Sequence, residues 1–384
     1  MILPATSKTP RMTTGKDGIA KRKSPSRDIP STAISSPATS ACSICSDVGA
    51  GRIHERDVDR RERGGVAESR VDAEGEAEPI RAGSLGGGNA DLAAASRATP
   101  QGMLLHLAIG DAYGAGFEYA PSESFAANTL KAYVQHPKHA IPPGAYTDDT
   151  QMSLAIAEAI VEDDPWTHES LAARFVDVYK RDPREGYAGG FHRLLESVKD
   201  GAELLAALRP DSDKSGAAMR AAPIGVFPDL AEVIERSRVQ AAITHNTPDG
   251  IHAAVAASLV AHYFLHDLGP RADLGRFLEA HVPGDWTARW SGEVGSKGWM
   301  SVRAAITALQ DSDHLGSILR QCVDYRGDVD TVAAIALAGA SCSAAFVDDL
   351  PEALIDGLEN GVHGRDYLRA LDKRLLARAR RDRD

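Results

Sequence analysis

From Met103 onward the apolar residues recur at helical spacing nearly throughout, and the Val/Ile/Thr alternation that marks strands is almost absent. A chain patterned this way must bury its apolar stripes helix against helix, so the expected fold is all-α, one compact bundle of closely packed, alanine-rich helices. The spacing predicts helices over 103–111, 151–162, 170–180, 191–199, 216–225, 230–244, 248–265, 272–280, 299–310, 314–324, 331–343, 351–359 and 366–380. Gly, Pro and Asp collect in the loops 137–146, 181–190 and 209–215, where a ligand site would be built.

Residues 1–102 differ in kind. They contain no Phe, Tyr or Trp and are dominated by Ser, Pro, Gly, Arg and acidic residues, so little apolar surface offsets the entropy of ordering them. We read them as a disordered N-terminal extension and 103–384 as one helical domain. The extension holds 15 Lys/Arg against 13 Asp/Glu, neither a basic nucleic-acid arm nor an acidic tail. Its Arg, Lys and Ser suit a transit peptide, but it lacks a clear amphipathic pattern, turns acid-rich over 52–78, and has no secretory apolar core. The rest carries 28 Lys/Arg and 41 Asp/Glu, a balance of −13, which argues against nucleic acid as a general partner. No run of eighteen apolar residues occurs, so no membrane span is expected. Cys42 and Cys45 have CxxC spacing without a second pair to complete a zinc site, while Cys322 and Cys342 sit in apolar helical contexts as buried thiols; a reducing cytoplasm fits.

Two acidic clusters stand out. Thr147-Asp148-Asp149-Thr150 and Asp328-Val329-Asp330-Thr331 each open straight into a run of alanines and aliphatics and read as helix starts. Asp and Thr suit a first turn, where free N–H groups and the helix dipole favour negative charge, so two well-capped helices are one reading. Capping uses one such side chain, however, and each cluster concentrates two carboxylates beside threonine. Hard divalent cations want oxygen ligands of this kind, and the second reading is a site for Mg²⁺ or Mn²⁺.

The order of landmarks resembles the ADP-ribosylglycohydrolases, a family that includes dinitrogen-reductase-activating glycohydrolases and ADP-ribosyl-acceptor hydrolases. The resemblance covers about residues 103–345. Gly110-Asp111-Ala112 with Glu118 is similar to the family's opening turn, and Thr147-Asp148-Asp149-Thr150-Gln151-Met152 to its first metal cluster. Gly186-Tyr187-Ala188-Gly189-Gly190 resembles a loop near the substrate. The stretch from Gly216 through Met219-Arg220 to Pro223-Ile224-Gly225 is similar to a central signature, Thr244-His245 follows, and Gly327-Asp328-Val329-Asp330-Thr331 completes the set.

The resemblance implies an orthogonal helical bundle that binds two Mg²⁺ or Mn²⁺ ions and cleaves the bond between ADP-ribose and an acceptor on a modified protein, arginine first, with serine or a small ADP-ribose ester behind it. The implied metal ligands are Thr147, Asp148, Asp149, Asp328, Asp330 and Thr331. Asp148 or Asp149 is the implied base, and Glu118 takes a gating or acid role or else is a solvated loop glutamate. Implied substrate contacts are Asp111, Tyr187, Gly189, Gly216 and His245, although Asp111 could serve its helix end, Tyr187 could merely pack and His245 could be a satisfied core histidine. Three positions depart from the family pattern: Arg326 where Gly is usual, Val329 where Thr is usual, and Ser215 where Asn is usual. The third falls in the loop expected to hold ADP-ribose. Two rival functions remain, a non-catalytic binding or toxin-blocking member, and a two-metal phosphoesterase that would release AMP.

Overall fold

The computed structural model describes residues 102–381, and the expected disordered extension, with Cys42 and Cys45, lies outside the described residues. Thirteen α-helices make up the described part: α1 (Met103–Ala115), α2 (Asp148–Val161), α3 (His168–Arg181), α4 (Gly189–Ser197), α5 (Gly201–Ala207), α6 (Leu230–Ala242), α7 (Pro248–Leu265), α8 (Leu274–His281), α9 (Gly298–Asp311), α10 (Leu315–Asp324), α11 (Val329–Ala340), α12 (Glu352–Gly357) and α13 (Arg365–Arg381). No strand occurs among the described residues, where β pairing is confined to isolated bridges. The fold is all-α, as the spacing predicts, and no helix among these is long and apolar enough to cross a membrane.

Helices α1 and α11 are largely apolar and buried along their whole lengths, which makes them the central pair. Helices α2, α7, α9, α10 and α13 pack around them. Small residues let the central helices touch backbone to backbone. A Cβ on Gly110 would lie 2.5 Å from Ala333 O, and one on Gly114 would overlap Asp330 Cα, so side chains there would push away the helix that carries the second acidic cluster.

Burial of α1 raises a second problem, because the free N–H groups of its first turn see no water and its N-cap residue, Gly102, has no side chain to offer. Asp372, far along the chain on α13, answers it: Leu104 N and Leu105 N donate to its two carboxylate oxygens at 2.8 and 3.0 Å. Glu158, buried on α2, binds α3 and α13 in the same fashion, accepting from Arg181 and, at 2.6 Å, from the Tyr367 hydroxyl.

Three local expectations fail. The stretch 216–225 is not an α-helix but two 3-10 turns, Ser215–Ala217 and Ala222–Val226. Pro223 lacks the N–H a continuing helix needs, and Gly225 lies so close to the backbone of α7 that a Cβ there would be 2.6 Å from His262 N. The seven-residue helix α5 was not expected, although Asp200 caps it by accepting from Glu203 N at 2.9 Å while Glu203 accepts from Lys199 N. Helix α1 runs on through Gly114 to Ala115 instead of ending at Asp111, because that glycine is where α11 crosses it.

Candidate functional site

Both acidic clusters are helix starts, but their carboxylates are not the caps. The cap of α2 is the Thr147 hydroxyl, which accepts from Asp149 N, and no side chain caps α11. Asp148, Asp149, Asp328, Asp330 and Thr331 instead line a cavity of about 920 Å³. Glu118 closes over the second cluster, with one oxygen each from Glu118, Asp328 and Asp330 lying within 4.8 Å of one another.

Asp111 stands behind the first cluster and does not line the cavity. Fully buried on α1, it accepts from Thr147 N at 2.9 Å, Thr147 Oγ1 at 2.8 Å, Thr150 N at 3.0 Å and Thr150 Oγ1 at 2.5 Å. It therefore fixes the first turn of α2, and Thr147, also outside the cavity wall, spends its proton on Asp111 and keeps a lone pair free. The second cluster is held by main chain: Asp328 N donates to Val294 O at 3.0 Å, and Val294 N donates to Arg326 O at 3.0 Å. Ser301 Oγ reaches Asp328 at 3.2 Å, and Ser215 also bonds that carboxyl, so the Ser-for-Asn departure touches the acidic cluster itself. Val329 is buried in the core, pointing away from the ligand-bearing wall. Arg326, the first departure, has φ of 65°, a left-handed conformation in which glycine is at ease and arginine is not.

The carboxyls are all pushed toward the protonated form. Burial is the first cause at Asp111, Asp148, Asp149, Asp328 and Asp330, and at the four other than Asp111 the repulsion of neighbouring carboxylates adds to it; Asp328 rises to about 6. Two buried oxygens from opposing clusters, Asp149 Oδ1 and Asp330 Oδ1, have no hydrogen-bond partner. Such a set is costly alone and is what a hard divalent cation would satisfy, so the residues present fit a metal.

Glu118 is oriented by His136. Main-chain N–H groups of Lys138 and His139 donate to His136 Nδ1, so the ring proton sits on Nε2 and is donated to Glu118 Oε2 at 2.9 Å. Tyr187 lines the cavity and donates to Gln151 Oε1 at 2.6 Å. A Cβ on Gly186, at φ of 109°, would overlap the Asp148 carboxylate, which explains the glycine at that end of the loop. Gly190 lines the cavity while Gly189 does not. Gly216 and His245 are brought together in the same lining, with Arg209, Lys214 and Arg220. Phe191, Leu194 and Leu208 add an apolar side. Sequence reasoning missed Tyr119, His136, Arg220 and this apolar side. Arg220 lay inside the central signature and Phe191 directly after the glycine loop, so position was the available signal.

The ADP-ribosylglycohydrolase family profile matches residues 92–384, beyond both ends of the expected resemblance. ADP-ribosylhydrolase ARH3 of Xenopus tropicalis is 29% identical over 195 residues, 47% of this chain and 54% of that protein. ADP-ribosylarginine hydrolase Tri1 of Serratia proteamaculans is 23% identical over 256 residues, 61% of this chain and 68% of that protein. The ADP-ribosyl-[dinitrogen reductase] glycohydrolase of Rhodospirillum rubrum is 27% identical over 291 residues, 72% of this chain and 95% of that protein. The match thus spans about half the length of the first of these relatives and nearly all of the last.

Proposed function

Since the chain belongs to the ADP-ribosylglycohydrolase family, whose members are hydrolases, we propose that it removes ADP-ribose from modified protein side chains, arginine first, with serine or O-acyl-ADP-ribose as further substrates. The observation that carries this reading is the polarity of the cavity. The same lining holds a buried carboxylate cluster and the donor groups of Arg209, Lys214, Arg220 and His245. A ligand with a sugar at one end and a diphosphate in its middle suits that combination, the carboxylates with their cations taking the ribose and Arg209, Lys214 and His245 the phosphates. Phe191 and Leu194 give the adenine an apolar surface.

Thr147, Asp148, Asp149, Asp328, Asp330 and Thr331 would hold two Mg²⁺ or Mn²⁺ ions, which supply neutralising charge and Lewis acidity at the ribose hydroxyls and the attacking water. The chain's own groups do the rest. Asp148 or Asp149 takes the proton of the water that attacks the anomeric carbon. Glu118, steered by His136, is the acid or gate for the departing acceptor. Tyr187, fixed by Gln151, and the loop at Gly190 border the sugar, with Gly189 outside the lining, while Gly216 and His245 meet the diphosphate. The buried free thiols of Cys322 and Cys342 suit a reducing cytoplasm.

The test is release of ADP-ribose from matched arginine- and serine-ADP-ribosylated peptides by the full chain, with Mg²⁺, with Mn²⁺ and with EDTA. Metal-dependent release of intact ADP-ribose from one peptide establishes the activity and names the acceptor. Release of AMP would identify a phosphoesterase, and binding of ADP-ribose without turnover of either peptide would identify a binding protein.

A further inference from the structure

Arg220 is an unusual cation. It is 1% exposed, lies over the Phe175 ring at 4.6 Å, and is paired with no carboxylate among the described residues. Its contacts are neutral. Nε donates to Gln240 Oε1 at 2.7 Å, and Nη2 donates to Gln240 O at 3.0 Å and to Thr244 Oγ1 at 2.9 Å. Gln240 is itself fixed, since its amide nitrogen donates to Ala217 O at 3.0 Å. A buried charge without a counterion is held only where something else needs it.

The network decides where the proton sits on His245. Thr244 Oγ1 already accepts from Arg220 and has one proton to give, and His245 Nδ1 lies 2.6 Å away. If Nδ1 carried the ring proton, both groups would donate into the Thr244 oxygen and the hydroxyl proton would be idle, for none of its bonds supplies another acceptor. The arrangement that satisfies every group has Thr244 donating to Nδ1, which leaves the ring proton on Nε2. That edge of the ring packs against Gly216, which lines the cavity with it: a Cβ on Gly216 would lie 3.0 Å from Cε1 and 3.3 Å from Nε2. Burial, and then the Arg220 charge, press the imidazole toward its neutral form against the opposing pull of Asp213.

We propose that Arg220 and Thr244 are positioning residues that hold His245 as a neutral donor, its Nε2–H turned to the Gly216 turn to receive a phosphate oxygen of the substrate's diphosphate. The proposal rests on the ADP-ribosyl reading for its ligand but not for its proton. The unneutralised Arg220 charge, set one residue behind the donor, then adds a field that favours an anion at that point.

Thr244→Val removes the hydroxyl and Thr244→Ser keeps it. Two readouts are needed: ring ¹⁵N shifts of His245, assigned by their loss in His245→Ala, and calorimetric affinity for ADP-ribose in Mg²⁺. In the wild-type chain and in Thr244→Ser, Nε2 should be protonated, Nδ1 should not, and the affinities should agree within about twofold. Thr244→Val should mix the tautomers and weaken ADP-ribose about tenfold. Arg220→Lys, which keeps a cation but cannot bridge Gln240 and Thr244, should weaken it similarly. A wild-type ring protonated at Nδ1, or a Thr244→Val chain that binds ADP-ribose as the wild type does, overturns the positioning role. A wild-type chain that does not bind ADP-ribose overturns the ligand and the functional reading with it, while the ring nitrogens still decide the relay.

Discussion

The two acidic clusters face one cavity but are held in opposite ways. The first is gripped from behind by a side chain, with both Asp111 oxygens taking four hydrogen bonds from Thr147 and Thr150. The second has its backbone gripped by main chain, through Val294 and the Arg326–Gly327 turn, with the uncharged Ser215 and Ser301 hydroxyls on the Asp328 carboxyl. The difference has an electrostatic consequence, since Asp111 adds a negative charge behind Asp148 and Asp149 and pushes both further toward protonation, whereas main-chain bonds add none. Asp111 and Glu118 both press on Asp330 as well, so each cluster depends on a cation, and the second additionally carries backbone strain at Arg326.

The largest test breaks both halves together. Asp148→Asn or Asp330→Asn should abolish turnover with helical content unchanged, a greater loss than the roughly 10–100-fold expected of residues behind the ligands. The same variants should be more heat-stable than the wild type in EDTA at neutral pH, because each removes a buried charge that burial and its neighbours already oppose. In saturating metal the order should reverse. Near-native turnover in either variant would remove that residue from the mechanism.

Next, Asp111→Asn should lower metal affinity about 10–100-fold, measured by Mn²⁺ titration, although the residue does not line the cavity. Val294→Ala is the counterpart for the second cluster. Its missing methyls should cost about 2 kcal/mol of stability yet leave metal affinity unchanged, since the bonds that hold Asp328 are made by the Val294 backbone. Equal loss of metal in both variants would dissolve the distinction between the clusters.

Asp372 grips α1 much as Asp111 grips α2, but away from the cavity, so it isolates the cost of a buried carboxylate anchor. Burial raises its pKa from the ordinary 3.8 to about 6, outweighing the two backbone bonds that oppose the rise. The folded state thus holds the proton more tightly. Its contribution is most favourable below about pH 4 and is lost as pH rises through about 6, by about 3 kcal/mol. Urea unfolding of the wild type and Asp372→Asn at both ends of that window should show the stability difference between them moving by this amount, with the wild type relatively weaker at the higher pH. A difference independent of pH would mean that Asp372 does not change its proton on folding there.

Periodicity and helix-start chemistry made the all-α fold and both clusters legible, because the apolar spacing and the Asp/Thr pairs are local signals. What stayed hidden is what one segment does for another. Asp111 reads as a residue near a helix end until Thr147 and Thr150 are beside it, and Asp372 reads as a charge on a surface helix until α1 starts against it. The 216–225 stretch was misjudged despite Pro223, since alanine content outweighed the missing N–H. Helix α5 left a readable capping pair in Asp200 and Glu203 but offered too few turns for a period. Arg220 looked like an ordinary signature residue, and only its lack of a carboxylate partner among the described residues sets it apart.

The smallest effect sharpens the second half of the comparison. Arg326 holds a φ of 65°, at a cost of about 1–2 kcal/mol for a residue with a Cβ. Its side chain returns part of that, donating to Ser122 Oγ at 3.0 Å and lying over the Phe125 ring at 5.1 Å. Arg326→Gly relieves the strain but loses those contacts and loosens the unfolded chain by about 0.4–1 kcal/mol, so the net change in stability should stay within about 1 kcal/mol of zero. Turnover should be unchanged, because the Asp328 and Val294 bonds use only backbone. Arg326→Val keeps the strain, adds a β-branch and loses the contacts, and should fall by about 2 kcal/mol in the same urea titration. If Arg326→Gly fell as far as Arg326→Val, the guanidinium contacts and not the backbone would be what shapes the turn, and the second cluster would prove to be side-chain-held after all.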